Sequence, residues 1–181
     1  MTVAGASGPD KQAMIRVDHA GEFGATRIYA GQMAVLGDRH AISDEVRHMA
    51  QQEDRHLAEF ERLMTERRVR PTALMPLWHR AGYALGVVSA LIGPRAAMAV
   101  TAAVETEIDR HYQAQLDALG ADAGASDDPE LAQMIAEFQA EEQEHRQRAI
   151  DHGAEQAPAY PLLSALVRAG CRTAIRLSER L

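Results

Sequence analysis

Two stretches that the hydrophobic pattern places inside helices carry charge where a packed helix needs apolar side chains. Residues 51–60 read QQEDRHLAEF and residues 140–148 read AEEQEHRQR. Each contains a Glu-x-x-His: Glu53 with His56, and Glu142 with His145. Residues three apart project from one helical face, so each pair aims a carboxylate and an imidazole at one point. An ionised carboxylate is costly to bury without a partner. A chain that buries two such pairs must give them something to hold.

The rest of the sequence builds helices around these pairs. Ala, Leu, Glu, Arg and Gln abound, and all are good helix formers. No stretch of useful length alternates with the period of a strand. At 181 residues the chain is long enough for one domain with a substantial core. Its punctuation predicts a helix from about Lys11 to Leu36, ended by Gly37, and a second from an N-cap at Ser43 to near Glu66. A short apolar helix is expected from about Leu77 to Ile92. After the Gly93-Pro94 break another helix runs from Arg95 to Leu119. Asp128 with Pro129 starts a further long helix that ends at Gly153, and Leu162 to about Arg180 makes the last. Residues 1–10 are expected to be a flexible lead-in, and residues 120–128 a loop. These elements describe one all-α domain over residues 1–181. It is a four-helix bundle with a crossover containing the short apolar helix, and with an added C-terminal helix.

The first and third long helices share a pattern. Glu22, Arg27, Tyr29 and Gln32 match Glu105, Arg110, Tyr112 and Gln115, both reading Glu-x4-Arg-x-Tyr-x2-Gln. The second and fourth carry the Glu-x-x-His pairs, so the chain reads as two copies of a helix pair. Glu22, Glu53, His56, Glu105, Glu142 and His145 each lie near mid-helix, and mid-helix positions meet at one level of a bundle. Together they match the donor set of a dinuclear carboxylate site. Four carboxylates balance two divalent ions, and oxygen and nitrogen donors without thiolate suit iron or manganese. Glu45 and His48 have the same spacing but sit at the start of their helix. Nothing on the fourth long helix is expected to answer them, and they are read as solvated. Glu107, Asp109, Glu137, Glu141 and Glu144 are placed on outer faces. Tyr29 is expected to pack and hydrogen-bond between helices. His111 and Tyr112 stay open between that role and one in moving protons or electrons or holding substrate.

A net charge of −7 argues against a nucleic-acid partner. The single cysteine, Cys171, excludes an intrachain disulfide and a cysteine-held metal cluster, and is expected to be a small buried hydrophobe. The polar N-terminal stretch lacks the core of a signal peptide. No apolar run approaches the roughly 20 residues of a spanning helix. Residues 81–94 are uncharged and flanked by Arg80 and Arg95, with Trp78 and Tyr83 suited to headgroup level. With Leu162, Leu163, Leu166, Val167 and Ile175 they make an expected interfacial surface. The expected setting is the cytoplasmic side of the cell membrane, held peripherally.

Longer stretches carry a resemblance. RVDHAGEFGATRIYAGQMAVL, RVRPTALMPLW, AVETEIDRHY, EEQEHR, DHGAEQAPAY and AGCRTAIRLSERL together resemble the demethoxyubiquinone hydroxylase family of ubiquinone biosynthesis, over about residues 15–181. The resemblance implies a ferritin-like diiron monooxygenase that uses O2 to hydroxylate the ring of a polyprenylated demethoxyubiquinol. It implies two iron ions per chain, one held by Glu22, Glu53 and His56 and the other by Glu105, Glu142 and His145, with Glu53 and Glu142 bridging. It also implies a His-Tyr pair at His111 and Tyr112, and NADH as a candidate reductant. No glycine-rich nucleotide motif follows a strand, so direct, quinol-mediated and reductase-mediated reduction stay open. So do a homo-oligomer and a lipid-binding accessory protein. An iron-storage ferroxidase shares the donor pattern but has no need of the apolar segment. A rubrerythrin-like peroxide reductase needs cysteines the chain lacks. A non-catalytic helical scaffold would make the pairs accidental.

Overall fold

The computed structural model describes residues 10–38, 40–120 and 126–181. Among them are six α-helices and no strand: α1 (Lys11–Leu36), α2 (Ser43–Arg67), α3 (Met75–Ile92), α4 (Pro94–Leu119), α5 (Pro129–Asp151) and α6 (Tyr160–Ser178). One turn of 3-10 helix covers Ala154–Gln156. The architecture is the expected all-α, ferritin-like bundle. The expected lead-in falls, Asp10 apart, outside the described residues, as does most of the loop before α5.

Local chemistry sets the ends. Asp10 caps α1 by accepting from the Ala13 N–H at 3.0 Å, and Asp128 caps α5 by accepting from Leu131 N–H at 3.3 Å. Ser43 is not the cap of α2. Ile42 holds that position, and the Ser43 hydroxyl donates to the Gly37 carbonyl instead, tying the α1–α2 turn. Both α3 and α6 begin two residues earlier than expected, because Pro76 and Pro161 fit the first turn of a helix. The helix α5 stops at Asp151, two residues short of the expected Gly153, whose φ of +86° opens the 3-10 turn.

The helices α1, α2, α4 and α5 form the bundle. Its middle lies between two apolar plugs. One holds Ile15, Phe60, Leu63, Leu116, Leu131 and Phe138; the other holds Val46, Met49, Ala96, Met98, Ala102 and Ala149. The helix α3 lies along α1 and α6 along α4. Small residues bring α3 onto α1. A Cβ added at Gly86 would sit 2.0 Å from the Ile28 carbonyl oxygen, and one at Gly31 would sit 2.3 Å from that of Tyr83.

The α4–α6 contact has another basis, and it corrects a sequence expectation. Glu107, placed on an outer face, is 2% exposed. It accepts from Arg168 Nε at 2.6 Å and from Arg172 at 2.8 Å, both on α6. The added C-terminal helix buries a position that would be solvated in a bare bundle.

Replacing Gly86 with Ala should force α1 and α3 apart and cost about 1–3 kcal/mol. Gly170→Ala, where nothing lies within 4 Å of the added Cβ, should instead stabilise α6 by about 0.5–1 kcal/mol. Urea denaturation of the two variants measures both.

Candidate metal centre

All six sequence-selected residues converge between the plugs. One donor atom from each of Glu22, Glu53, His56 and Glu142 lies within 4.8 Å of the others, and the same holds for Glu53, Glu105, Glu142 and His145. Glu53 and Glu142 belong to both groups. Each of the six is at most 1% exposed. The chain places them this way because each follows or precedes a plug residue by a helical turn. Met49 and Phe60 flank the α2 pair, and Phe138 and Ala149 flank the α5 pair.

The inner atoms are short of partners. Glu22 Oε2, both Glu53 oxygens, His56 Nδ1, Glu105 Oε2 and Glu142 Oε1 make no hydrogen bond. Carboxylates and imidazoles approach one another without pairing neatly. His56 Nδ1 is 3.0 Å from Glu142 Oε1 and 3.4 Å from Glu22 Oε2, and His145 Nδ1 is 3.1 Å from both Glu53 and Glu142. Electrostatics shows the same excess of negative charge. Burial, then the neighbouring charge of Glu142, drives Glu53 and Glu105 well above the usual carboxylate range. Burial pulls the His56 imidazole down, but the carboxylates of Glu142 and Glu22 outweigh it and raise it to about 10. Burial likewise pushes Glu142 up, and His145 and His56 overcome it, holding Glu142 at about 2. Protons stand where cations would satisfy the same oxygens and nitrogens. Buried donors of this number and kind fit divalent metal.

The outer atoms, by contrast, are held. Tyr112 donates to Glu22, and Tyr29 donates to Glu105 at 2.9 Å. Burial first, then the adjacent glutamate, pushes both phenols well above their ordinary range, so they keep their protons and remain donors. Tyr29 thus packs and bonds between helices, as expected of it. The His56 and His145 rings turn Nε2 outward, to Glu141 and Gln52, each at 3.0 Å. Glu141 is therefore not an outer-face residue. Lying next to Glu142 on α5, it is half-buried against His56.

His111 does not join Tyr112 at the glutamates. The two rings are 6.5 Å apart, and His111 pairs with the buried Asp18 at 3.2 Å. Gln115 bonds both, at 2.8 Å each. Burial lowers the His111 pKa and the Asp18 carboxylate more than restores it. Sequence reasoning missed Asp18, Gln52 and Glu141. Asp18, one turn before Glu22, and the residue preceding each Glu-x-x-His were readable signals. Glu45 stays outside the cluster as expected, but α5 does answer it: Arg148 donates to it at 2.9 Å, while His48 is exposed.

A groove of about 470 Å³ opens beside the cluster, between α1, α3, α4 and α6. Its lining is almost wholly apolar, including Ile28, Leu85, Leu163, Val167 and Ile175. Gly21 and Val104, the neighbours of Glu22 and Glu105, lie in its wall. Trp78 closes it at one side, donating to Ser178 at 3.1 Å. Cys171 also lines it, half-buried rather than fully so, and burial raises its thiol to about 12.

The two tyrosines occupy equivalent places in the repeat, so Tyr29→Phe and Tyr112→Phe should destabilise the metal-free protein alike. Each loses a buried donor to a glutamate, for about 1–3 kcal/mol. Chemical denaturation compares them.

Residues 10–178 match the model of the family described as ubiquinone biosynthesis protein COQ7. The chain is 52% identical over 166 residues to a 3-demethoxyubiquinol 3-hydroxylase of Rhodospirillum rubrum, covering 92% of this chain and 76% of that protein. It is 50% identical over 185 residues to the NADPH-dependent 3-demethoxyubiquinone 3-hydroxylase, mitochondrial, of Homo sapiens, covering 100% and 82%. With the 5-demethoxyubiquinone hydroxylase, mitochondrial, of Saccharomyces cerevisiae it shares 40% over 179 residues, covering 93% and 77%. A buried four-glutamate, two-histidine cluster beside an apolar groove thus lies in a sequence matched almost from end to end, and the chain belongs to the COQ7 family of ubiquinone biosynthesis proteins.

Proposed function

We propose that the chain is a diiron monooxygenase that hydroxylates the ring of a polyprenylated demethoxyubiquinol with O2. One observation carries the reading: six buried donors with their free atoms turned inward adjoin an apolar groove, in a chain about half identical to hydroxylases of that ring. Glu22, Glu53 and His56 would hold one iron ion, and Glu105, Glu142 and His145 the other, with Glu53 and Glu142 shared. Bound iron supplies the electron transfer to O2 that an organic side chain cannot provide.

The chain's own part is binding and orientation. The groove takes the prenyl tail along its apolar walls and excludes water. Gly21, Gly24 and Ala25 leave room for a flat ring near the cluster. Tyr29 and Tyr112 hold the outer oxygens of Glu105 and Glu22, so that the other oxygens point inward. One oxygen of O2 enters a ring C–H bond and the other leaves as water, which requires two electrons and two protons from outside. NADH is the reductant that the family resemblance implies, whereas the names of the mammalian relatives specify NADPH. An iron-storage reading leaves the groove without a use.

The groove's mouth suits a lipid surface. Val88, Leu91 and Ile92 of α3 are exposed, as are Leu162 and Leu166 of α6. Both groups lie at the end of the bundle where α4 begins: Ile92 precedes Pro94, and Leu163 packs in the same cluster as Ala96. No helix among the described residues is long and apolar enough to cross a membrane. The enzyme sits peripherally, on the cytoplasmic side of the cell membrane, and draws its substrate from the bilayer. Homo-oligomers or a lipid-binding accessory protein would compete for the same patch.

Purified protein should hold about two irons per chain. Glu53→Ala and Glu142→Ala should lose most of that iron and all hydroxylation of a demethoxyubiquinol, while Glu45→Ala retains both. Equal iron in all three variants would sink the assignment. Serine at Val88, Leu91 and Ile92 should weaken sedimentation with anionic liposomes and slow turnover of long-chain quinol. Iron content and activity on a short-chain soluble analogue should hold.

A further inference from the structure

The outer ends of the two imidazoles are joined by one hydrogen-bond chain, and one carboxylate dictates its direction. Glu141 Oε2 lies 3.0 Å from His56 Nε2 and 3.0 Å from Gln52 Nε2, and it also accepts from Arg55. Gln52 Oε1 lies 3.0 Å from His145 Nε2. An ionised carboxylate, here paired with a guanidinium, can only accept. His56 must therefore carry hydrogen on Nε2, and Gln52 must turn its NH2 towards Glu141. The Gln52 carbonyl then faces His145, which must also carry hydrogen on Nε2. Each ring is left with Nδ1 as its metal-binding nitrogen, and Nδ1 is the atom each presents to the buried carboxylates.

The position is singled out by the repeat. Gln52 and Glu141 each precede the glutamate of a Glu-x-x-His, so they are equivalents that differ. Two acids there would repel across the 3.0 Å contact. Two amides could both flip, and neither ring would have a defined tautomer.

We propose that Glu141 is the positioning residue of the metal centre as a whole. It fixes the tautomer of His56 directly and that of His145 through Gln52. The inference rests on the metal-centre reading above, because a tautomer matters there only if Nδ1 must bind a cation.

The test uses the full chain and Zn(II), which is diamagnetic and redox-inert. Nitrogen-15 NMR of the imidazoles reports which ring nitrogen bears hydrogen, and competition titration gives the affinities of the two ions. Wild type should take up two ions, with Nε2–H signals at both histidines. Glu141→Gln should weaken both ions, by about 10–100-fold at the His56 side, and should shift the His145 signals although residue 141 does not touch that ring. Gln52→Met should alter His145 alone. It tests the direction of the chain whether or not Glu141→Gln folds. Glu137→Gln, which touches Arg55 but neither histidine, should match wild type. A general loosening of the bundle would not reproduce this one-way pattern. The proposal is overturned if Glu141→Gln leaves His145 and its ion as in wild type, or if Gln52→Met disturbs both rings equally. If wild type binds no Zn(II), the metal-centre reading falls and this one with it. Two ions bound with indifference to Glu141→Gln would remove the positioning role alone.

Discussion

Six ionisable side chains buried at one level of a helical bundle are the constraint to which the rest of this molecule answers. Left to themselves, four carboxylates at this depth would repel one another with little water to screen them. The fold meets this in two ways. Every outward-facing atom that can be tied is tied, by a tyrosine, a glutamine or a glutamate on a neighbouring position. The inward-facing atoms are left free, so that the stabilisation missing from the protein alone is what a bound cation brings. Metal binding and folding share one free energy in such a site. The apolar plugs at either end keep that arrangement dry.

The internal repeat shows which parts of the arrangement are general and which are particular. Each half is a helix pair followed by a covering helix: α1, α2 and α3, then α4, α5 and α6. Tyr29 to Glu105 mirrors Tyr112 to Glu22. Gln32 reaches Thr101 where Gln115 reaches Asp18. The symmetry breaks where chemistry differs. Ile28 faces the groove, while its equivalent His111 pairs with Asp18 away from it. A substrate that enters from one side needs only one apolar wall per half, and the other positions are free to be polar.

Much of this was legible in the sequence because it depends on helical period. Glycine and proline marked the breaks, and three-residue spacing placed each glutamate with its histidine. The convergence of Glu22, Glu53, His56, Glu105, Glu142 and His145 needed only mid-helix depth. What was not legible depends on a neighbour that spacing cannot supply. Glu107 reads as an outer residue until α6 covers it with two arginines. Glu141 reads as solvated until His56 is seen to need a partner for its second nitrogen. Glu45 looks unanswered until the antiparallel run of α5 beside α2 brings Arg148 to it. Ser43 resembles a cap, yet the tight turn after Gly37 gives its hydroxyl another acceptor.

The two covering helices are fastened by different physics. Where α3 meets α1, Gly31 and Gly86 allow backbone to lie on backbone, with no side chain that can swing aside. Where α6 meets α4, Leu163, Val167 and Cys171 pack on Val100, Ala103 and Val104, two arginines reach one carboxylate, and only Val167 and Ser178 of α6 are buried. One wall of the groove thus rests on backbone contact with the bundle, and the other on side-chain contact. In terms of local stability, the seam between α3 and α1 offers no side chain to rearrange, whereas the seam between α6 and α4 joins apolar packing to two arginine contacts.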